Sequence, residues 1–362
     1  MRRVRVTARS FRYDVVVGQG AWRALRQFPH DRYSSVFILT ERALWKRWGE
    51  SFSRDAGLKG ARTVFIPPGE ASKTLRMVER VASRLLAYGA DRRSLLLAFG
   101  GGVVGDLGGF VASTYMRGID CVQVPTTVVA QVDSAIGGKT GVDVGVMKNL
   151  IGTFYPPRLV LADPTVLTSL GARAFLSGWY EVIKHAILAG PPFFDQLEAR
   201  LDSLSASQVR TLEPLLVRAA EVKVDVVSRD EREAGLRRIL NLGHTVGHAL
   251  EEATHYRRFL HGEAVGWGIL VAARLAERRG VLNASERERI AQAVRRVGPL
   301  PPIRDLNPAK VLSFLPRDKK VVGGRIHWVM PVRIGRVWIV SDVPLTVAAA
   351  AIRDVQRADT HE

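Results

Sequence analysis

The chain has 362 residues, of which 47% are hydrophobic and 24% charged, so it can bury the cores of two domains and is not expected to be disordered. Its formal charge of +18 is spread over single and paired basic residues without a long basic run, which argues against a nucleic-acid-binding protein. The lone cysteine, Cys121, excludes an internal disulfide, and no apolar run is long enough for a membrane helix. We therefore expect a soluble, cytoplasmic protein with no membrane or nucleic-acid partner.

Short apolar segments alternate with helical patterns in the first half of the chain. Strands are predicted over residues 13–17, 36–39, 63–66 and 95–99, and helices over residues 43–51, 73–87 and 103–113. The continuous apolar run at 95–99 is typical of a strand that is buried on both faces. This alternation predicts an α/β domain with an open, mostly parallel sheet covered by helices.

A glycine-rich turn joins the fourth predicted strand to the following helix. Gly100, Gly102 and Gly105 have the G-x-G-x-x-G spacing that lets a backbone approach a pyrophosphate at a helix N-terminus. Such turns also occur for packing reasons alone, so the motif is weak evidence. Because it follows the fourth strand and not the first, it indicates a nucleotide-binding fold that differs from the standard Rossmann arrangement.

The second half of the chain changes character. Residues 172–296 have an almost wholly helical pattern, and residues 325–331 and 336–340 are predicted to form a hairpin around Gly335. We therefore expect a domain boundary near residue 170, between an α/β domain at 1–170 and a mainly helical domain at 171–362.

Histidine spacing in the helical half indicates a metal site. His244 and His248 are four residues apart, which places them on one face of a helix, and His261 follows after a turn. Glu181 adds a carboxylate within an apolar helical segment. Imidazole and carboxylate ligands without a thiolate suit a catalytic zinc, and also admit cobalt, manganese or iron. The alternative is a set of unrelated histidines that cap helices or lie in the core.

Lysine is scarce compared with arginine, so its occurrence among apolar or glycine-rich residues is informative. Such positions are Lys139, Lys148, Lys184 and Lys223, and Arg237 closes a charged segment nearby. Each of them alone is best explained as a surface charge. Together, beside a metal and a nucleotide, they indicate an anionic small-molecule substrate that carries phosphate and carboxylate groups.

These motifs, in order from about residue 67 to residue 334, resemble the 3-dehydroquinate synthases of the sugar-phosphate cyclase group. The resemblance is carried by PGEASK at 68–73, GGGVVGD at 100–106, YMRG at 115–118, PTT at 125–127, QVDS at 131–134, GGKTG at 137–141, KNLIG at 148–152, EVIK at 181–184, NLGHT at 241–245, HGEAV at 261–265 and DKK at 318–320.

The resemblance implies a role for each matching residue. It makes Glu181, His244 and His261 zinc ligands and leaves His248 as a site histidine that does not bind the metal. The implied NAD contacts are Glu41, Pro68, Gly69, Glu70, Ala71, Ser72, Lys73, Gly101, Gly102, Val103, Val104, Gly105, Asp106, Thr126, Thr127, Lys139, Lys148, Val166, Leu167, Thr168 and Ser169. The implied substrate and catalytic residues are Arg117, Asp133, Lys139, Asn149, Lys184, Lys223, Arg237, Asn241 and His248, with Lys319 or Lys320.

The implied enzyme is a phosphate-eliminating lyase of the shikimate pathway of aromatic amino acid biosynthesis. It converts 3-deoxy-D-arabino-heptulosonate 7-phosphate into 3-dehydroquinate by transient oxidation with NAD, β-elimination of phosphate, re-reduction and aldol closure. The implied cofactors are NAD and zinc, with cobalt as the alternative metal. NAD is expected on residues 1–170, the metal and substrate on residues 171–362, and the active site in the cleft between the two domains of a homodimer subunit.

Two other enzymes stay open as alternatives. One is a different sugar-phosphate cyclase, acting on glucose 6-phosphate or sedoheptulose 7-phosphate, and the other is a metal-dependent alcohol or glycerol dehydrogenase that uses NAD. Some positions depart from the family pattern, namely Trp179-Tyr180 before Glu181, and Ala174, Ser169 and Met147. They adjoin the cofactor and metal segments, so we expect changed local contacts around retained chemical groups.

Overall fold

The computed structural model describes residues 1–29, 32–145, 147–315, 321–322 and 325–359. Its strands are β1 (Arg2–Thr7), β2 (Arg12–Val17), β3 (Val36–Glu41), β4 (Arg62–Ile66), β5 (Leu95–Gly100), β6 (Asp120–Pro125), β7 (Lys139–Val144), β8 (Met147–Phe154), β9 (Leu159–Ala162), β10 (Val321–Val322), β11 (Arg325–Ile326), β12 (Trp328–Arg333) and β13 (Arg336–Val340). Its α-helices are α1 (Arg42–Ala56), α2 (Leu75–Ala87), α3 (Gly102–Thr114), α4 (Ala172–Ser177), α5 (Trp179–Ala189), α6 (Pro191–Glu198), α7 (Val209–Arg229), α8 (His244–Ala253), α9 (His261–Arg278), α10 (Ala284–Val297), α11 (Pro308–Leu312) and α12 (Leu345–Ala358). None of these helices is long and apolar enough to cross a membrane.

The chain divides into two compact units. Unit 1 comprises Met1–Leu170 and Val209–Arg232, and unit 2 comprises Gly171–Gln208 and Glu233–Glu362. The sequence-based division at residue 170 assigned 209–232 to the second domain, whereas α7 packs on strands of unit 1. Its apolar face shares a core with β1 and β2, and Ser228 Oγ accepts a hydrogen bond from the Thr7 amide at 3.1 Å.

A seven-stranded sheet forms the centre of unit 1, in the order β1-β2-β9-β6-β5-β3-β4. Every neighbouring pair in it is parallel except β1 and β2, which confirms the predicted α/β class with a mostly parallel sheet. Strand β5 is buried along its whole length, as its apolar sequence predicts, and Cys121 is buried in β6. Strand β1 was not predicted, and neither was the two-stranded ribbon of β7 and β8.

The carboxyl ends of the parallel strands lie at one edge of the sheet, where α/β proteins bind their ligands. Strand β3 ends there at Glu41, β5 leads into the glycine turn, β6 leads into Thr126, and β9 leads into a 3-10 turn at Pro164–Ser169. The predicted cofactor segments therefore lie side by side at this edge.

Unit 2 is mainly helical, as predicted. Helix α9 is buried along most of its length and packs against α5, α8, α10 and α12. Its contact with α8 is very close, because a Cβ atom at Gly268 would lie 1.7 Å from the carbonyl oxygen of Gly243. The predicted hairpin is present as β12 and β13, although its first strand begins at Trp328 and not at residue 325.

Candidate functional site

The glycine turn brings a helix N-terminus close to the end of strand β6. Helix α3 begins at Gly102, and its N-cap residue, Gly101, has no side chain that could cap the amide groups of the first turn. A Cβ atom at Gly101 would lie 3.0 Å from Thr127, so the turn and the Thr126-Thr127 segment form one surface. Gly105 serves packing instead, since its Cβ would meet Gln123 Oε1 at 2.9 Å. The amide groups of a helix N-terminus and its positive dipole suit a bound phosphate group.

Lys73 joins the predicted cofactor loop to α3. Its side chain is buried, and Nζ donates a hydrogen bond to Asp106 Oδ2 at 2.6 Å and lies 3.6 Å from Glu70 Oε1. Burial raises the pKa of Asp106, although Lys73 opposes this rise. The ammonium group of Lys73 thus pairs with protein carboxylates, and its bond to Asp106 ties loop 68–73 to α3.

Two further predicted cofactor segments flank this surface. Glu41 ends β3 in a half-buried position, and burial raises the pKa of its carboxyl group. Trp48 of α1 donates from Nε1 to Ser169 Oγ at 2.9 Å, which ties α1 to the turn that contains Val166, Leu167 and Thr168. Ser169, one of the departures from the family pattern, thus forms a hydrogen bond with Trp48 in this chain.

The ribbon of β7 and β8 carries Lys139, Lys148 and Asn149. Asn149 has a φ of +51°, and its amide donates to Asp143 Oδ1 at 2.7 Å. The Asp143 amide in turn donates to the Lys73 carbonyl at 2.8 Å. Sequence reasoning missed Asp143, because an isolated aspartate between glycines gives no signal of this cross-strand contact.

Other predicted substrate residues of unit 1 differ in burial. Lys223 of α7 is 7% exposed, and its Nζ donates to Asp133 Oδ1 at 2.9 Å. Arg117 is exposed in a turn where both it and Met116 have positive φ values, of +71° and +48°. Such backbone angles are uncommon for residues with a side chain and are often found at functional sites.

Unit 2 brings the three predicted metal ligands together. Glu181 is fully buried in α5, and His244 and His261 are the first residues of α8 and α9. Glu181 Oε1 lies 3.4 Å from His244 Nε2 and 3.3 Å from His261 Nε2. The other carboxylate oxygen of Glu181 forms an ion pair with the buried Lys184.

His248 belongs to the same cluster. A ring nitrogen from each of His244, His248 and His261 can be chosen such that all three lie within 4.8 Å of one another. The histidine geometry alone therefore includes His248 among the donors, whereas the family resemblance assigned it to the substrate.

The charges around these histidines favour a cation. His261 Nδ1 lies 3.2 Å from Oε2 of the buried Glu251. Burial lowers the pKa of His261, but the carboxylates of Glu251 and Glu181 outweigh burial and raise this pKa to about 10. Carboxylates that stabilise the positive charge of an imidazolium so strongly would also stabilise a divalent cation bound to the neutral imidazole. The donors are nitrogen and oxygen atoms without a thiolate, and this set fits zinc or cobalt.

The remaining predicted residues of unit 2 are also placed. Lys184 and Arg237 are each 1% exposed, and Asn241 Nδ2 donates to Glu233 Oε1 at 2.7 Å. Lys319 and Lys320 lie outside the described residues. Sequence reasoning missed Glu233 and Glu251, because both occur in charged helical or turn segments that resemble solvent-facing surface.

The bulky residues before Glu181 are accommodated by local packing. Trp179 and Tyr180 are buried, and Tyr180 Oη donates to the Gly298 carbonyl at 3.1 Å. A Cβ atom at Gly266 would lie 2.7 Å from the Tyr180 ring, so the ring occupies space that a glycine in α9 leaves open. This departure from the family pattern leaves Glu181 directed at the histidines.

Comparison with known proteins gives consistent matches over most of the chain. Residues 63–177 match the family model described as 3-dehydroquinate synthase N-terminal, and residues 178–321 match the one described as 3-dehydroquinate synthase C-terminal. A 3-dehydroquinate synthase from Solibacter usitatus (strain Ellin6076) is 42% identical over 344 residues, which cover 94% of this chain and 96% of that protein.

Solved structures with the same fold include two synthases with NAD+ and a divalent metal bound. A 2-epi-5-epi-valiolone synthase from Streptomyces hygroscopicus subsp. jinggangensis 5008, with NAD+ and Zn2+ bound, is 30% identical with a TM-score of 0.87, covering 98% of this chain and 99% of that one. A 2-deoxy-scyllo-inosose synthase complexed with carbaglucose-6-phosphate, NAD+ and Co2+ has a TM-score of 0.86 at 24% identity and equal coverage, and shares the fold.

Proposed function

The chain belongs to the 3-dehydroquinate synthase family, and from this premise we propose that it converts 3-deoxy-D-arabino-heptulosonate 7-phosphate into 3-dehydroquinate and phosphate. The observation that carries the proposal is the convergence of Glu181, His244 and His261, with the buried Lys184 beside them. A simple phosphate-binding protein has no need of such a buried donor set.

We assign NAD to unit 1 and a divalent metal, zinc or cobalt, to unit 2. The surface formed by the glycine turn, Thr126-Thr127 and the loop at 68–73 supports the first assignment, and Glu181, His244 and His261 support the second. When bound, NAD supplies a reversible hydride acceptor and the metal supplies a Lewis acid at the substrate oxygens.

Three of the cations proposed to bind the substrate are buried, whereas Arg117 and Lys139 are exposed. Lys184, Lys223 and Arg237 are each less than a tenth exposed, so their charges are poorly screened by water. We propose that they, with Arg117 and Lys139, bind the phosphate and carboxylate groups of the substrate. A cation that holds the phosphate also stabilises the charge that develops as the phosphate leaves in β-elimination.

Asn241 and His248 are proposed to orient the hydroxyl groups of the substrate. Glu233 accepts a hydrogen bond from Asn241 Nδ2, which fixes the amide so that its oxygen can accept from a hydroxyl. His248 lies beside the predicted metal ligands, with its ring centroid 5.5 Å from that of His244.

We further propose that the enzyme is a carbon-oxygen lyase of the shikimate pathway. We propose that it is cytoplasmic and forms a homodimer.

The deciding experiment follows phosphate release and 3-dehydroquinate formation together, with metal-loaded protein and catalytic NAD. We expect equal amounts of both products without accumulation of NADH, and loss of both in His261→Ala. His255→Asn is the matched control, because His255 is exposed and asparagine tolerates its φ of +53°. Phosphate release from glucose 6-phosphate or sedoheptulose 7-phosphate alone would assign a different cyclase, and accumulating NADH without phosphate would assign a dehydrogenase.

A further inference from the structure

Glu251 is a buried carboxylate that the proposed reaction does not use. It lies in α8, seven residues after His244, so both residues are on the same side of the helix, two turns apart. Glu251 is 2% exposed, and its Oε2 lies 3.2 Å from Nδ1 of His261, the first residue of α9. One helix therefore presents both a predicted metal ligand and a carboxylate that contacts another predicted ligand.

We propose that Glu251 is a positioning residue of the metal site, which holds the imidazole of His261 with Nδ1 protonated and Nε2 free to bind the metal. The proposal rests on the metal site of the proposed function. The two ring nitrogens face different carboxylates, since Nδ1 lies 3.2 Å from Glu251 and Nε2 lies 3.3 Å from Glu181. An ionised carboxylate only accepts hydrogen bonds, so Glu251 selects the tautomer that carries its proton on Nδ1.

His244 has a comparable arrangement with a different acceptor. Its Nδ1 lies 3.2 Å from the carbonyl oxygen of Leu242, and its Nε2 faces Glu181. Both histidines thus direct Nε2 at the same carboxylate and have an oxygen beside Nδ1. The backbone carbonyl is neutral, whereas Glu251 adds a negative charge that makes the His261 imidazole a stronger donor to the metal.

Burial of Glu251 supports a role beyond solubility. A carboxylate that is 2% exposed loses most of its hydration, a cost that is tolerated where charged or hydrogen-bonding groups compensate for it. A metal-bound His261 supplies this compensation, because the cation polarises the imidazole and strengthens the hydrogen bond from Nδ1. Glu251 and the metal then stabilise each other through one ring.

The test compares zinc affinity by chelator competition, starting from the zinc-loaded protein and the variants Glu251→Ala and Glu251→Gln. We expect the dissociation constant to rise about 10- to 100-fold in the alanine variant. The glutamine variant should lie between alanine and wild type, because its amide oxygen still accepts from Nδ1 but carries no charge. Asp354→Asn is the matched control, since Asp354 is also largely buried but pairs with Arg274 and Arg278 away from the histidines.

A second readout separates positioning from general stability. In the zinc-loaded proteins, ring-nitrogen NMR shifts should show His261 protonated at Nδ1 and bound through Nε2 in the wild type and in Asp354→Asn. In Glu251→Ala a second population of His261 rings without this pattern should appear. If the alanine variant does not fold, a several-fold weaker zinc affinity of a folded Glu251→Gln protein supports the proposal. Unchanged zinc affinity in the folded Glu251 variants would overturn it.

These outcomes are independent of the substrate. Weaker zinc binding in the Glu251 variants, combined with no turnover of the heptulosonate by the wild type, would keep the positioning role and reject the proposed reaction. Normal turnover with zinc affinity unchanged by either Glu251 substitution would keep the reaction and reject the positioning role.

Discussion

Replacing Lys73 with methionine tests how unit 1 holds the predicted cofactor loop. Lys73 is 3% exposed, and its Nζ lies 2.6 Å from Asp106 Oδ2. Methionine retains most of the apolar length of the lysine side chain and removes its charge and its hydrogen-bond donors. The variant therefore reports the cost of leaving the Asp106 carboxylate without its ammonium partner, with little change in packing.

The expected magnitude follows from the geometry of the pair. Two unit charges 2.6 Å apart attract by about 6 kcal/mol at an effective dielectric constant of about 20, before the desolvation of both groups is counted. Removal of one partner from a buried pair costs about 3–5 kcal/mol, because the other charge stays buried without compensation. Asp106 is 18% exposed, so water relieves part of this cost. We expect the free energy of unfolding to fall by about 3 kcal/mol at pH 8.

The deficit should depend on pH in a definite direction. Burial already raises the pKa of Asp106 with Lys73 present, and loss of the ammonium group raises this pKa further. A raised folded-state pKa means that the folded protein binds a proton more readily than the unfolded chain, so the variant regains stability as pH falls. The difference between wild type and Lys73→Met should thus be largest at pH 8 and smaller at pH 5.

Urea unfolding of the ligand-free proteins at both pH values measures this difference. Lys59→Met is the control, because Lys59 is exposed and its replacement should change the free energy of unfolding by less than about 0.5 kcal/mol. A deficit below 1 kcal/mol at pH 8, or one of equal size at pH 5, would refute the reasoning about the buried pair.

Three further substitutions have expected outcomes. Thr40→Val should raise the free energy of unfolding by about 1 kcal/mol in urea titrations, because the fully buried Thr40 hydroxyl has no hydrogen-bond partner among the described residues; a loss of stability would contradict this. Gly262→Ala should lower the free energy of unfolding by at least about 2 kcal/mol and reduce the zinc content, because the new Cβ would lie 1.7 Å from the Ser177 carbonyl oxygen and displace the start of α9. A wild-type free energy of unfolding together with a wild-type zinc content would contradict this expectation. Glu181→Gln should weaken zinc affinity in chelator competition by more than about 100-fold. Loss of a residue that only hydrogen-bonds to a metal ligand already weakens metal affinity by about 10- to 100-fold, and loss of a ligand should cost more. Near-normal zinc affinity would remove Glu181 from the predicted ligand set.

The strands of the central sheet could be predicted where burial on both faces makes their sequence continuously apolar. Strand β5 is such a case. Strand β1 was missed because it lies at the edge of the sheet, where arginines alternate with valines and antiparallel pairing with β2 supplies its hydrogen bonds. Strand β8 is mostly exposed and pairs with β7 in a separate ribbon, so no periodicity of apolar residues indicates it.

The assignment of α7 to a unit depends on contacts that a local pattern does not contain. Its sequence is amphipathic and predicts a helix equally well in either unit. What places it in unit 1 are interactions with residues about 200 positions earlier, such as the hydrogen bond that Glu213 accepts from the Gln19 amide at 2.9 Å. A helix within a helical stretch of sequence gives no indication of such partners.

A metal cluster could be predicted because few residue types bind metals and because His244 and His248 have helical spacing. The choice of Glu181, His244 and His261 as the predicted ligands came from the family resemblance. The residues that support these ligands could not be predicted, because a glutamate in a helix usually faces solvent. Glu251 differs from an ordinary surface glutamate only in its burial and in its distance to His261. Both properties arise from the packing of α8 on α9.

That packing depends on glycines. Gly268 lets α9 approach the Gly243 carbonyl, and Gly243 itself, at a φ of +82°, directs the chain into His244 at the start of α8. The predicted ligand His244 and the positioning residue Glu251 belong to one helix, and the predicted ligand His261 belongs to the other. The distance between the helices therefore sets the distances between these side chains. Zinc affinity should therefore depend on the spacing of α8 and α9 as well as on the identity of the ligands. Substitutions at Gly243 and Gly268, which have no side-chain donor atoms, should change the zinc affinity.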